Sequence, residues 1–292
     1  MSVQKARASW AQLSEGERNF VHAPKLSGSM PATDWIAQIE GITQFDEHVN
    51  VAVDQLWKIG MLLLVGAFCA IFGAFVLAGG VPIVSGVALI VGTLAGLSGF
   101  SVFVYRSSWK SVDVPDVLCE TVLPLLRVME LELPAESCVR LTLDLTGSEQ
   151  AEKTFDTAES GSWMSLPHRR DTIYRDPWLG LQATLIDGSR LQFALRDTLR
   201  VRKVTKISRS GKRKTKTKRK VKRRIRVCLS VRPDRGLMGE QAEGVVVRVT
   251  PKRHHIIADR LEQDTETLFS SNPAMVVRLA AQCFLQARTT AA

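Results

Sequence analysis

Across residues 59–105 the chain has no Asp, Glu, Lys or Arg, a gap of 47 positions. Soluble helices of that size seldom lack every charge, so the gap argues against a wholly soluble protein. Across residues 200–226 different classes are missing: no Asp or Glu, and no Phe, Tyr, Trp or His. Nucleic-acid bases have nothing to stack on there, which argues against sequence-specific readout. The five cysteines are scattered, none closer than 19 positions to the next. Odd in number and without CxxC spacing, they predict reduced, packed thiols in a cytosolic compartment. No apolar core precedes residue 50, so no cleavable signal peptide is expected and the apolar run itself does the targeting.

Catalytic patterns are equally sparse. Gly211-Lys212 lacks the upstream glycine of a phosphate-binding loop, and Arg213 stands where Ser or Thr should follow. Gly96-Leu97-Ser98-Gly99 lies inside the apolar run and is no nucleophile elbow. His254 and His255 are adjacent, and on a strand they would point to opposite faces, which suits one metal site poorly. A polar, aromatic cluster at residues 168–171 (His-Arg-Arg-Asp) and 174–178 (Tyr-Arg-Asp-Pro-Trp) either lines a pocket or is a loop held by ion pairs. The expectation is a non-enzymatic protein without cofactor or metal. No motif places the chain in a known family.

The uncharged run is long enough for two crossings. One span needs about 20 residues at about 1.5 Å each to cross about 30 Å of hydrocarbon. Two spans, near 59–78 and 81–105, would meet at Gly79-Gly80-Val81-Pro82, where glycines release one helix and proline opens the next. Small residues recur at four-residue spacing: Ala70, Ala74 and Ala78, then Ala88, Gly92 and Gly96. Such faces let backbones approach closely, within the hairpin or between copies in a homo-oligomer. Two spans put both ends on one side. Lys58, Arg106 and Lys110 flank them while the turn is uncharged, so both termini are expected in the cytoplasm and the hairpin in the cytoplasmic (inner) membrane.

Around the spans, Trp35, Ile36, Ile39, Ile42 and Phe45 keep helical spacing after Thr33. Val117, Leu118, Val122, Leu125, Leu126 and Met129 do so after Pro115, with Pro124 predicting a kink or two short helices. Met275, Val276, Leu279, Ala280, Cys283 and Phe284 form a last apolar stripe, opened by the cap signal Ser271-Asn272-Pro273. Between these helical stretches the period changes to two. Val139, Leu141, Leu143 and Leu145 alternate with polar residues, as do Leu179, Leu181, Ala183, Leu185 and Leu191, Phe193, Leu195. A three-residue turn at Ile186-Asp187-Gly188 keeps apolar side chains opposite one another, with Gly188 in the left-handed position. One-faced strands of this kind predict an antiparallel meander covered on one side by helices.

The fold class expected is a membrane α-hairpin of two transmembrane helices plus a cytosolic α+β domain, an antiparallel β-meander flanked by helices. Its parts are a mobile tail (1–32), an amphipathic helix leading to the membrane (33–58), the hairpin (59–105) and a helical neck (106–136). The sheet domain follows (137–292), with a basic hairpin (199–229) and a C-terminal helix (272–288).

Charge is concentrated in that basic hairpin. Residues 200–226 hold 16 Lys and Arg, which against a net +10 leaves the rest of the chain at −6. Matching apolar faces pairs Leu199 with Leu229 and Val201 with Val227, centres the turn near Lys214, and makes Val245, Val247 and Val249 the next strand. The polyanion-binding residues expected are Lys212, Arg213, Lys214, Lys216, Lys218, Arg219, Lys220, Lys222, Arg223 and Arg224. Their partner would be anionic lipid headgroups on the inner leaflet, each cation adding about 1 kcal/mol. Alternatives are nucleic acid bound through its backbone, an acidic protein, or an oligomerising membrane effector regulated by the cytosolic domain.

Overall fold

A computed structural model of the chain describes residues 2–77, 82–110, 112, 114–134, 137–160, 168–233, 244–265 and 273–287. The chain divides into two compact units, residues 1–22 with 40–114 and residues 23–39 with 115–292.

The first unit is helical. The segment expected as a loose tail is ordered from Ser2 onward: it forms α1 (Ser2–Gln12) and α2 (Glu15–His22) in this unit and the strand β1 (Lys25–Pro31) in the second. Ser14 and Glu17 cap α2 reciprocally, the Ser14 N–H donating to Glu17 Oε2 at 2.6 Å and the Glu17 N–H to Ser14 Oγ at 3.3 Å. Such a box holds a helix end that composition alone reads as unstructured. Phe20 and Val21 of α2 are buried, and Trp10 of α1 meets the Phe45 ring at 5.3 Å.

The predicted amphipathic helix and first span are one helix, α3 (Ala32–Leu77), followed by α4 (Pro82–Lys110). The turn at residues 79–81 and Ala78 lie outside the described residues. The two helices meet through their small residues. A Cβ added at Gly92 would lie 2.8 Å from Ile71 Cγ1 and 3.1 Å from the Ala67 carbonyl oxygen; one at Gly99 would lie 3.3 Å from the Gly60 carbonyl oxygen. Ala67 and Ala74 are buried there, Ala70 and Ala88 are half-buried, and Gly96 faces Ala67. The remaining surface is apolar and open, with Leu62, Phe68 and Phe75 more than 70% exposed.

In the second unit an antiparallel sheet runs β1-β2-β4-β5-β6-β8-β7, with β3 pairing the first part of β4. The later strands are β2 (Cys138–Asp144), β3 (Thr154–Ser160), β4 (His168–Thr184), β5 (Arg190–Ile207), β6 (Arg213–Val231), β7 (Val245–Val249) and β8 (His254–Thr265). The three-residue turn is as the parity argument required: Ala183 pairs Leu191, Leu181 pairs Phe193, Leu179 pairs Leu195, and Gly188 has φ +77°. The strand after β6 is different. β8 pairs β6, and the valines of β7 form the edge beyond it. The alternation in 245–249 looked the cleaner strand, but β8 gives β6 the longer ladder.

Odd-numbered positions of β2, β5, β6 and the second part of β4 (179–183) turn inward, and helices cover that face. An irregularity between Asp176 and Leu179 shifts the parity, so that in the first part of β4 the even positions Tyr174 and Asp176 point inward. α6 (Pro273–Ala287) packs on β6 and β8 through Val276, Leu279, Ala280 and Cys283; Ser271 and Asn272 of its expected cap lie outside the described residues. α5 (Leu123–Glu130) follows a wider turn at Leu118–Val122, where the Leu123 N–H donates to the Leu118 carbonyl. Pro124 thus sits in the first turn of a second short helix. The Trp35 indole N–H donates to the Val139 carbonyl at 2.9 Å.

A buried ionic cluster ties the link between β2 and β3 to β4. Lys153 Nζ lies 3.0 Å from Asp144 and 2.8 Å from Asp176, and Ser148 donates to Asp176 at 2.8 Å. Burial raises the Asp144 carboxyl, but the Thr146 hydroxyl, Lys153 and the Thr146 N–H hold it at about 2.

Two predictions follow these contacts. Gly92→Leu should lower the thermal midpoint of the detergent-solubilised chain by the equivalent of about 1–3 kcal/mol, whereas Gly66→Leu, with open space around it, should leave it unchanged. Because Asp144 binds its proton less tightly folded than unfolded, its contribution is complete above about pH 4 and disappears toward pH 2, on the order of 2 kcal/mol. Asp144→Asn should therefore be less stable at neutral pH and lose less between pH 4 and 2, read as melting temperature against pH.

Candidate polyanion-binding face

The basic hairpin is built on register. β5 and β6 pair from Arg190↔Ser230 to Ile207↔Arg213, and the turn occupies residues 208–212, closed by Ser208 N–H to Lys212 O at 2.8 Å. Gly211 supplies φ +75°. This corrects the expected pairing: Leu199 faces Val221, not Leu229, and Val201 faces Arg219, not Val227. A five-residue turn preserves parity just as a turn near Lys214 would. It also sets Leu191, Phe193 and Leu195 against Leu229, Val227 and Ile225.

That register brings Asp197 opposite Arg223. The pair is bidentate, Arg223 Nε to Oδ1 at 2.8 Å and Nη2 to Oδ2 at 2.7 Å, with no solvent exposure on either side chain. Trp178, fully buried, has its ring 5.8 Å from the guanidinium. Arg223 is therefore part of the core and not of a polyanion surface.

Alternation sorts the other expected cations. Lys214, Lys216, Lys218, Lys220, Lys222 and Arg224 share the outer face; Arg213 and Arg219 stand on the other, Arg219 pairing Glu149 at 2.8 Å. Lys212 is in the turn. Arg224 and Arg226 both bind Asp259, at 2.7 and 2.9 Å. Across the ladder, Arg202 faces Lys218, Arg200 faces Lys220 and Thr198 faces Lys222. Arg200, Arg202 and Lys206 were not among the residues expected at the site; their position in the same acid-free run, at even numbers, was the signal.

The residue that organises this face is Asp171 of β4. Its carboxylate accepts from Arg169 (2.7 and 3.2 Å), from Arg202 (3.0 and 3.3 Å) and from Arg200, while only 8% exposed. The Arg169 hydrogen bonds, working against burial and joined by Arg200 and Arg202, hold it well below the ordinary carboxylate range. The cluster at 168–178 is thus strand, not loop. Its Arg169 and Asp171 face outward, whereas Tyr174 packs on Leu199, Val201 and Val221 and Trp178 is in the core.

Beside Asp171 a groove of about 590 Å³ is lined by Ile173, Thr198, Arg200, Arg202, Lys218, Lys220 and Lys222. It continues toward the turn as a second hollow of about 660 Å³ that shares Arg202 and Lys218. Lys214, Lys216, Lys218 and Lys222 make no ion pair among the described residues. Groups of three or more His, Cys, Asp or Glu able to hold a metal are absent among the described residues; His255 instead bonds Ser230 at 2.6 Å. Comparison with family models, curated proteins and solved structures finds no match.

The register makes its own prediction. Removing one partner, as in Asp197→Ala, leaves a buried charge and should cost about 3–5 kcal/mol, while Asp197→Leu with Arg223→Met should recover most of it. Denaturant unfolding of the two variants against wild type measures the difference.

Proposed function

We propose that this is a non-enzymatic integral membrane protein, anchored by α3 and α4, whose sheet unit presents a cationic face to the anionic lipid of the membrane that holds it. The observation that carries the reading is the shared parity of Arg200, Arg202, Lys206, Lys214, Lys216, Lys218, Lys220 and Lys222. Strand alternation puts all eight on one face, where Asp171 neutralises part of the charge of Arg200 and Arg202. Like charges so arranged repel, and a polyanionic surface relieves that repulsion.

Membrane insertion is supported by the open apolar surface of both helices and by what stands at one end of it. Trp57, Tyr105 and Trp109 gather there, with the Arg106 guanidinium 5.1 Å from the Trp57 ring. Aromatic and basic residues favour the membrane–water interface. From residue 59 to 77 the helix is about 28 Å long, close to a hydrocarbon thickness of about 30 Å.

Sidedness has support independent of flanking charge. β1 precedes the spans and β2 follows them, yet they pair over seven residues from Lys25↔Asp144 to Pro31↔Cys138. Both strands must share one compartment, so the segment between them crosses an even number of times. With the basic flanks, this favours the cytoplasmic side for both termini and the inner membrane as location. Lipid is preferred over nucleic acid because the spans already tether the face at a bilayer, and because residues 200–226 carry no aromatic group. The small residues most expected to drive oligomerisation, Gly92, Gly96 and Ala74, are used between α3 and α4, which weakens the effector alternative.

The test is lysine acylation of the full chain in nanodiscs. With about 30% phosphatidylglycerol, Lys212–Lys220 should be labelled several-fold more slowly than in pure phosphatidylcholine, and salt should abolish the difference. Equal labelling in both bilayers would remove the lipid reading.

A further inference from the structure

The outer trough is not uniform. Toward the turn, Lys206, Lys214 and Lys216 are exposed, and beyond Thr205 only β5 and β6 continue. At the base, the arginines are held. Asp171 takes one edge of Arg200 and of Arg202, and a guanidinium has five N–H donors, so each keeps donors for a second anion. A pinned arginine also loses less freedom on binding than a free one.

We propose that the base of the trough is a discrete site for a compact anion carrying two or more phosphate groups, the chemistry of a polyphosphorylated lipid headgroup or of a soluble polyphosphate. The proposal rests on the cationic face described above and narrows it to one cleft. Its volume, about 590 Å³, falls within the range of small-molecule sites, about 300–1,000 Å³. Lys218 and Lys222 lie about 13 Å apart along β6, two strand repeats. One phosphate therefore reaches one end only. An anion with phosphates several ångströms apart engages Arg202 with Lys218 at one end and Lys222, beside the Thr198 hydroxyl, at the other. Ile173 adds an apolar floor, which a bare phosphate does not use but a ring bearing phosphates does.

Calorimetric titration of the full chain in neutral-lipid nanodiscs at 0.15 M salt tests the site. Inositol hexakisphosphate should bind once per chain, at least tenfold tighter than orthophosphate, with pyrophosphate between them. Lys218→Gln with Lys222→Gln touches no ion pair of the described residues and should weaken hexakisphosphate about 25-fold, from about fivefold per cation. Lys212→Gln with Lys214→Gln and Lys216→Gln should change it less than twofold. Asp171→Asn separates a built site from diffuse charge. It removes a negative charge, so diffuse attraction predicts tighter binding, whereas loss of the held arginines predicts weaker binding.

Equal effects of the cleft and turn variants, or tighter binding by Asp171→Asn, would overturn the discrete site. If lysine shielding by phosphatidylglycerol persisted in that case, the membrane reading would stand without it. Nanodiscs containing phosphatidylinositol 4,5-bisphosphate distinguish the sources. Abolished hexakisphosphate binding there identifies a headgroup ligand, and undiminished binding a soluble one.

Discussion

Asp197 and Arg223 face each other across β5 and β6 with both charges out of water, and strand alternation carries that pairing along the whole hairpin. A slip of one residue would put Arg223 outside and the lysines inside. A slip of two would keep the faces but leave a buried aspartate beside a valine or an isoleucine. Only the observed register satisfies both the apolar positions and the buried carboxylate. The cationic face is a by-product of this: once residue 223 must be inside, 214, 216, 218, 220 and 222 must be outside.

The same constraint explains how so much like charge is tolerated. At the base, where β4 is adjacent, Asp171 and Asp259 each hold two or more guanidiniums. Farther out the arm is exposed and water screens the lysines. Small elements support it: Leu199, Val201, Val221 and Tyr174 pack on the face away from the charge, and Thr205 and Thr215 share a hydrogen bond near the turn. At the base the arginines are neutralised in part, while Lys218 and Lys222 beside them make no ion pair among the described residues.

Period-two and helical spacing made most elements legible in the sequence, because burial of one face leaves a repeating mark. The turn at 186–188 could be argued to the residue, since parity admitted few choices. Parity was also where the reading of the basic hairpin went astray. It excluded a two-residue turn at Ser210-Gly211 but was equally satisfied by five residues centred on the same spot, and only the Asp197–Arg223 pair decides between the even solutions. Asp197 carries no local signal, its partner lying 26 positions away across a strand. Asp171 stood out beside Arg169 in the polar cluster, but its partners Arg200 and Arg202, 29 and 31 positions away, did not. The helices α1 and α2 were missed for another reason. Their order comes from a capping box and from packing on α3, not from composition.

The pairing of β1 with β2 has a bearing on how the molecule is made. Pro31 must find Cys138, 107 positions later, and at about 5–20 residues per second β1 waits about 5–20 s for its partner. In that interval the whole apolar hairpin has to be synthesised and, on the membrane reading, inserted. A chain that inserted one helix only would strand β1 and β2 on opposite sides of the bilayer, each with an open hydrogen-bonding edge. On that reading, completion of the sheet reports that insertion was correct, and a failed insertion leaves both edges unpaired.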